Sequence, residues 1–290
     1  MTSINHPVNT WWLLKRKLAN VLLWSGTIIA TLLALLPLAM VVYYLLVQAL
    51  PALNWAFFTH LPKPVGEVGG GMANAMVGTL ILIAIGSAIG VPVGLCGGIY
   101  LAEFGNNRLG AAIRFATDVL ASAPSIVIGI LVYELIVVSQ QHFSALAGGV
   151  ALGIMMIPMV MRTSEEIIRM VPMAQREAAL ALGATQFTTI FRIVLLSAKG
   201  GVITGILLAV ARVAGETAPL LFTAFGNRYW STSLDQPIAS LPVQIYTYAI
   251  APYDDWHAQA WAGAFVLVMM VLIISIAARV ATRGRIHIVR

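Results

Sequence analysis

Charge is the scarcest commodity in this sequence. Only 10% of its 290 residues are Asp, Glu, Lys or Arg, while 60% are hydrophobic. A soluble domain carries about a quarter charged residues, so an ordinary soluble globule is excluded. Cysteine is nearly absent. Cys96 stands alone in an apolar stretch, so no internal disulfide can form and redox chemistry has no support. The five histidines are scattered through loops and termini, and no His-Glu-x-x-His run occurs. Neither Gly-Lys-Ser nor Gly-Lys-Thr is present, so a P-loop for nucleotide has no residues to build it. The apolar runs also hold too few clustered His, Cys or carboxylate side chains to suggest a membrane-bound enzyme.

What the chain does have is long apolar runs. A bilayer crossing needs about 20 apolar residues. Six spans are read at residues 21–48, 73–102, 112–137, 145–161, 200–225 and 258–280. The predicted fold class is all-α, a polytopic membrane protein with about six transmembrane helices. Residues 1–20 and 281–290 are read as tails flanking one transmembrane domain over 21–280. The first run is too long for the apolar core of a signal peptide and reads as a helix retained in the mature protein.

The net charge of +6 would suggest nucleic acid in a soluble protein. Here the basic residues follow the loops instead, as the positive-inside rule requires, and no nucleic-acid partner is expected. Fourteen of the 17 basic residues fall on one side of the six-span arrangement, Lys63 and Arg228 on the other, and Arg212 within a span. Both termini and the segment 162–199 are therefore expected in the cytoplasm. Segments 50–72 and 226–257 are expected outside.

Glycine and proline punctuate the spans. Gly86, Gly90, Gly94 and Gly98 recur every four residues, which lines one helix face with glycine and suits close backbone approach. Pro92 lies in the same stretch, and Pro124 and Pro219 interrupt the third and fifth spans. Such breaks also suit a path that opens and closes.

The segment 162–199 holds a short predicted helix. Pro172 suits its first turn and Gly183 its C-terminal cap, with Ala-rich sequence between. A helix of about ten residues is marginal alone and needs a surface to pack on. Glu177-Ala178-Ala179, then Gly183, then Ile193 and Leu195 resemble the EAA loop of ABC importer permeases. Leu196 stands where that pattern normally has proline. Further stretches extend the likeness. They include Gly97 to Glu103, Ser122 to Val127, Gly205 to Ala209 and, most distinctively, Ala211 to Leu221. Almost the whole chain is similar to permease subunits of phosphate-specific ABC importers, within the MetI-like ABC permease family.

That resemblance implies a type I importer permease fold in the bacterial inner membrane, with lipid around it. It implies a coupling helix carrying Arg176, Glu177, Ala178, Ala179 and Gly183 against an ATPase. It also implies partners: a second permease of PstC type, two ATPases of PstB type and a periplasmic phosphate-binding protein of PstS type. No cofactor or metal is expected. A permease for another small anion, or an ion-coupled secondary transporter, is the alternative.

Ionisable groups inside a bilayer are functional candidates. Arg212 and Glu216 are four residues apart, so on one continuous helix they share a face. They read either as a static ion pair or as a phosphate contact through Arg212, with Glu216 holding the arginine at rest. Ser122, Ser125 and Thr217 add hydroxyl donors along the same path, although such side chains often bond their own backbone. Asp118 and Glu134 are read as facing the interface or loops.

Overall fold

The computed structural model describes residues 10–67 and 69–283, with side chains over 11–67 and 69–280. The chain divides into two compact units, 1–48 and 49–290. Of the tails read at 1–20 and 281–290, residues 1–9 and 284–290 lie outside the described residues, while 10–20 belong to the first helix and 281–283 to the last. Among the described residues there is no β-strand.

The first unit is helix α1, Thr10–Ala49. It is apolar on all sides, as a lipid-facing helix must be. At its N-terminal end the Lys15 ammonium lies 3.7 Å over the Trp11 ring and the Arg16 guanidinium 4.6 Å over Trp12. Tryptophans paired with cations suit the water–lipid boundary.

In the second unit a short helix α2, Trp55–Thr59, is capped by Asn54, whose side chain accepts from the Phe57 N–H at 2.8 Å. Then come α3, Ala73–Glu103, and α4, Arg108–Ser122. Helix α5, Ser125–Val132, runs on through a π-helical turn to Gln140. Next are α6, Ala145–Arg169, and α7, Met173–Ala181. Helix α8, Leu195–Ala214, is preceded without a gap by Gln186–Thr188 and a π-helical stretch Thr189–Val194. Helices α9, Ala218–Thr223, α10, Leu241–Ala249, and α11, Asp254–Arg283, complete the unit. Among the described residues five helical stretches are long and apolar enough to cross a membrane, or six if the bent pair α4–α5 is one span.

Helices α3 and α6 form the frame. A Cβ built on Gly86, Gly90, Gly94 or Gly98 would lie 2.5–3.0 Å from the Cβ of Leu152, Met156, Val160 or Ser164 respectively. The glycine face is thus a contact seam, and neither Pro92 nor Pro158 breaks the helix that contains it. Leu82, Leu152, Met156, Val160, Ala209, Val213 and Leu220 pack the core around this seam.

Besides the early start of α1 at Thr10, against a span read from 21, the third, fourth and fifth spans differ from the sequence reading. The third stretch, 112–137, is not one helix: it turns by 101° between Ser122 and Ser125. Ala123 is extended (ψ 133°), because the ring of Pro124 crowds an α-conformation in the residue before it. The fourth span continues through Arg169 rather than ending near 161. The fifth runs over Gln186–Ala214, not 200–225. Its polar start, Thr188, Thr189 and Arg192, resembled a loop in sequence, whereas Gly215 ends it early.

Candidate functional site

The segment between α6 and α8 folds as a short helix on a charged base. Gly183 adopts φ +81°, the left-handed conformation expected of a C-terminal glycine cap. Its N–H bonds Leu180 O at 2.9 Å, and the Ala184 N–H bonds Ala179 O at 3.1 Å. Pro172 stands just before the first turn of α7.

Arg176 turns inward. Its Nη2 and Nε reach Glu103 Oε1 and Oε2 at 2.8 and 3.4 Å, a two-pronged pair at the end of α3. Nη2 also donates to Ile168 O at 3.0 Å and Nη1 to Val171 O at 2.5 Å, both at the end of α6. One side chain therefore ties α7 to both helices of the frame. Ala179 is buried beside it, while Glu177 and Ala178 are exposed. Of the five residues read as coupling residues, two anchor α7 and two face outward, with Gly183 closing the helix. Met170, Met173, Leu180 and Leu182 are exposed with them, Leu182 by 89%. Exposed apolar side chains on an otherwise polar segment are left uncovered by the rest of the chain.

A second charge cluster underlies the first. Glu165 is 3% exposed. Its Oε1 accepts from Arg114 Nε at 2.7 Å and lies 3.0 Å from Arg169 Nη2, and Oε2 lies 3.7 Å from Arg162 Nη1. Arg162 also pairs with Asp118 at 3.5 Å, so that carboxylate faces an arginine at the surface. Arg114 and Arg169 both donate to Leu101 O, at 3.0 and 3.2 Å. A buried carboxylate needs such partners. Sequence reasoning missed both carboxylates: Glu103 and Arg176 lie on different elements at no fixed spacing, and although Arg162 and Arg169 stand three and four residues from Glu165 on its own helix, its tightest partner, Arg114, lies on α4.

Arg212 lies in the last turn of α8 and is exposed, its Nη1 3.6 Å from Met159 Sδ. The carbonyl end of a helix carries partial negative charge and favours a cation there. The helix then tightens and stops: Gly215 N–H bonds Arg212 O at 3.2 Å and Glu216 N–H bonds Val213 O at 3.1 Å. Glu216 therefore lies beyond the helix. The expectation of a shared helical face fails, and among the described residues no ion pair joins Glu216 to Arg212.

The hydroxyls divide. Ser122 Oγ donates to Val119 O at 2.8 Å, so it is engaged by its own helix. Thr217 precedes α9 without making a side-chain cap bond, and Ser125 opens α5 directly after Pro124. Glu134 is exposed in the π-helical turn. The halves of the two broken stretches meet where a Cβ on Gly129 would lie 2.6 Å from Pro219 Cα.

Comparison with known proteins gives a consistent answer. The family described as "Binding-protein-dependent transport system inner membrane component" matches residues 94–286. The "Phosphate transport system permease protein PstA" of Xylella fastidiosa (strain Temecula1 / ATCC 700964) is 45% identical over 91% of this chain and 93% of its own length. The protein of that name from Haemophilus influenzae is 42% identical over 95% of this chain and 96% of its own. Among solved structures, an inward-facing MetNI methionine ABC transporter chain aligns with a TM-score of 0.58 and 19% identity. The alignment covers 73% of this chain and 96% of that one, and supports the fold alone. With the helical architecture and the family match over two thirds of its length, this multi-pass chain belongs to the binding-protein-dependent transport system inner membrane components, in the group of the PstA permeases.

Proposed function

We propose that this chain is a permease subunit of an ATP-driven phosphate importer, forming part of the path by which inorganic phosphate crosses the membrane. The observation that carries this reading is the similarity to phosphate transport permeases along nine-tenths of both chains. A separate ATPase supplies the energy through the exposed face of α7, whose apolar side chains need a partner to cover them. Arg176 supports this role from behind, since a helix locked to Glu103 passes a push from the ATPase to α3 and α6 as one body. The remaining partners are a second permease of PstC type and a phosphate-binding protein of PstS type. Both termini and the α6–α8 segment lie in the cytoplasm.

On the path, Arg212 offsets part of the cost of bringing an anion into low dielectric. A guanidinium stays protonated when partly buried and matches phosphate oxygens in pairs. Thr217 and Ser125 lie beside the two helix breaks and add hydroxyls. Glu216 limits anion residence by repulsion when it faces the path. Alternating access moves these groups from one side to the other.

Uptake of labelled phosphate by cells with and without this chain tests the reading, with sulfate and phosphonate as competitors. Loss of uptake that only phosphate competes away is expected, and equal competition by sulfate would favour a general anion permease. Arg212→Gln should assemble normally, because among the described residues no carboxylate pairs with it, yet lower uptake about tenfold or more, the scale of one charge-assisted hydrogen bond. Normal uptake would remove Arg212 from the path. Topology is checked by single cysteines in a Cys96→Ala background: a cysteine at Gly70 should label from outside and one at Gln175 should not.

A further inference from the structure

The two basic residues of the outer segments, Lys63 and Arg228, are far apart in sequence. Both line one cavity of about 390 Å³, with Asn227, Gln244, Thr247, Tyr248 and Trp256. The charge asymmetry thus hides a local convergence: where cations are rarest, the fold brings them to the same place.

The cavity walls are held rigidly. Phe225 takes φ +63°, unusual for a non-glycine residue, and its ring stacks on Phe143 at 4.8 Å. That corner turns the chain so that Asn227 and Arg228 follow along the rim. Asn227 is fixed three ways. Its carbonyl accepts from Asn74 Nδ2 at 2.7 Å, its Nδ2 donates to Pro237 O at 3.2 Å, and its Oδ1 accepts from the Tyr229 N–H at 3.0 Å. On the opposite wall Tyr248 stacks on Trp256 at 4.4 Å. Burial pushes the Tyr248 hydroxyl pKa up, opposed by a hydrogen bond with Gln244 and by the positive charge of Arg228. Tyr248 therefore stays a neutral hydroxyl at physiological pH, and Arg228 acts on the cavity wall.

Among the described residues no carboxylate lines the cavity. Glu67, Asp235, Asp254 and Asp255 belong to the same outer segments, yet none forms its wall. Two cations with amide and hydroxyl groups at a fixed surface attract an oxyanion. The volume exceeds that of a bare tetrahedral anion and leaves room for several waters at about 30 Å³ each, so the anion enters without losing its whole hydration shell. Leu221 of α9 lines the same cavity, and α9 follows directly on the break beyond Arg212.

We propose that this cavity is an outer binding site for inorganic phosphate, in which Lys63 and Arg228 hold the anion before it moves on toward Arg212. The inference rests on the phosphate-permease reading and adds a site to it.

The test uses this chain purified with its partner permease in lipid nanodiscs, without binding protein, and labelled inorganic phosphate in equilibrium dialysis. Lys63→Gln with Arg228→Gln should weaken binding about tenfold or more. The charge-keeping pair Lys63→Arg with Arg228→Lys should retain it. Arg108→Gln with Lys199→Gln, which removes equal charge from two exposed positions on the other side, should also retain it. Absence of phosphate binding in the unaltered protein, unchanged binding in the first double variant, or equal loss in the distant one would overturn the site. Uptake by cells separates the two claims. If cells import phosphate and the first double variant keeps the same KM, the cavity site falls and the permease reading stands. If the unaltered chain supports no phosphate import, the permease reading itself falls.

Discussion

Prolines lie in both the α3–α6 frame and the α4–α5 and α8–α9 stretches, with opposite outcomes. Pro92 and Pro158 sit inside unbroken helices of 31 and 25 residues. Pro124 marks a turn of 101°, and Pro219 follows the gap at Gly215–Thr217. An interior proline costs a helix about 3 kcal/mol. In the frame, glycines spaced by four let two backbones approach, and the dispersion gained along the whole seam outweighs that cost. In the broken stretches no such seam runs through the proline, so the backbone follows its local preference. The proline alone does not decide the outcome, since Pro37 also lies inside the unbroken α1, where no seam is needed to keep the helix continuous. The outcome in the second unit is a stiff pair beside two hinged ones, and Arg212 stands at a hinge.

The contrast is broken most forcefully at the seam. Gly90→Leu would drive a side chain into Met156 Cβ at 2.5 Å and Gly153 O at 2.8 Å. Overpacking of this kind costs about 3 kcal/mol or more where backbone is in the way. Thermal unfolding of the purified permease should show it, together with poor membrane yield. Gly200→Leu, where nothing lies within 4 Å, should leave both unchanged. If the two variants melt alike, the seam is not what holds the frame.

The next largest effect belongs to the anchor of α7. Glu103→Leu leaves Arg176 unpaired where both side chains are only 12–13% exposed. Breaking such a pair costs about 3 kcal/mol or more. Adding Arg176→Met should recover most of the melting temperature, since two apolar groups replace two charges. Recovery of stability without recovery of uptake would sharpen the comparison, by showing that the frame tolerates the change and coupling does not. No recovery at all would mean that Arg176 acts through its carbonyl contacts rather than through Glu103.

A milder effect is expected at the prolines themselves. Pro124→Ala removes the bias that holds Ala123 extended and should lower uptake several-fold with little change in melting. Pro92→Ala should raise the melting temperature, because it removes the cost of an interior proline while the seam stays intact, and should leave uptake within about twofold. Equal loss of uptake in both would erase the distinction between frame and hinge.

Much of this could be read in the sequence, and the exceptions share a cause. The glycine seam was legible because a spacing of four is a property of one helix. The left-handed Gly183 and the helix start after Pro172 were legible because caps are local chemistry. The break beyond Arg212 was legible only as an interruption at Pro219, and its start at Gly215 was not. Gly215 is a weak signal in a run that stays apolar past it, and the run's polar beginning at 186–192 concealed where the span starts. The inward turn of Arg176 was hidden for another reason. Its partner Glu103 lies on a different helix, and no periodicity links charges across elements. The same limit concealed the reach of Arg114 to Glu165 and the convergence of Lys63 with Arg228, whereas Arg162 and Arg169 stand at helical spacing from Glu165 and could have been read.

The smallest structural effect is expected at Gly183, and it separates folding from coupling most cleanly. A Cβ built there meets nothing within 4 Å, so the first atom of the new side chain in Gly183→Trp enters open space. The cost of the change is conformational: an L-residue held at φ +81° loses about 1 kcal/mol. That strain falls on the last turn of a nine-residue helix whose other end is pinned by Arg176. The frame should not feel it, and the permease should melt within a few degrees of the unaltered protein. The indole, however, projects from the surface that carries Leu180 and Leu182, where the proposed ATPase contact lies. The expected result is an assembled complex that hydrolyses ATP but imports phosphate poorly, read as the ratio of phosphate taken up to ATP consumed. An unchanged ratio would show that the exposed face of α7 is a linker, and that the stiff frame is driven from somewhere else.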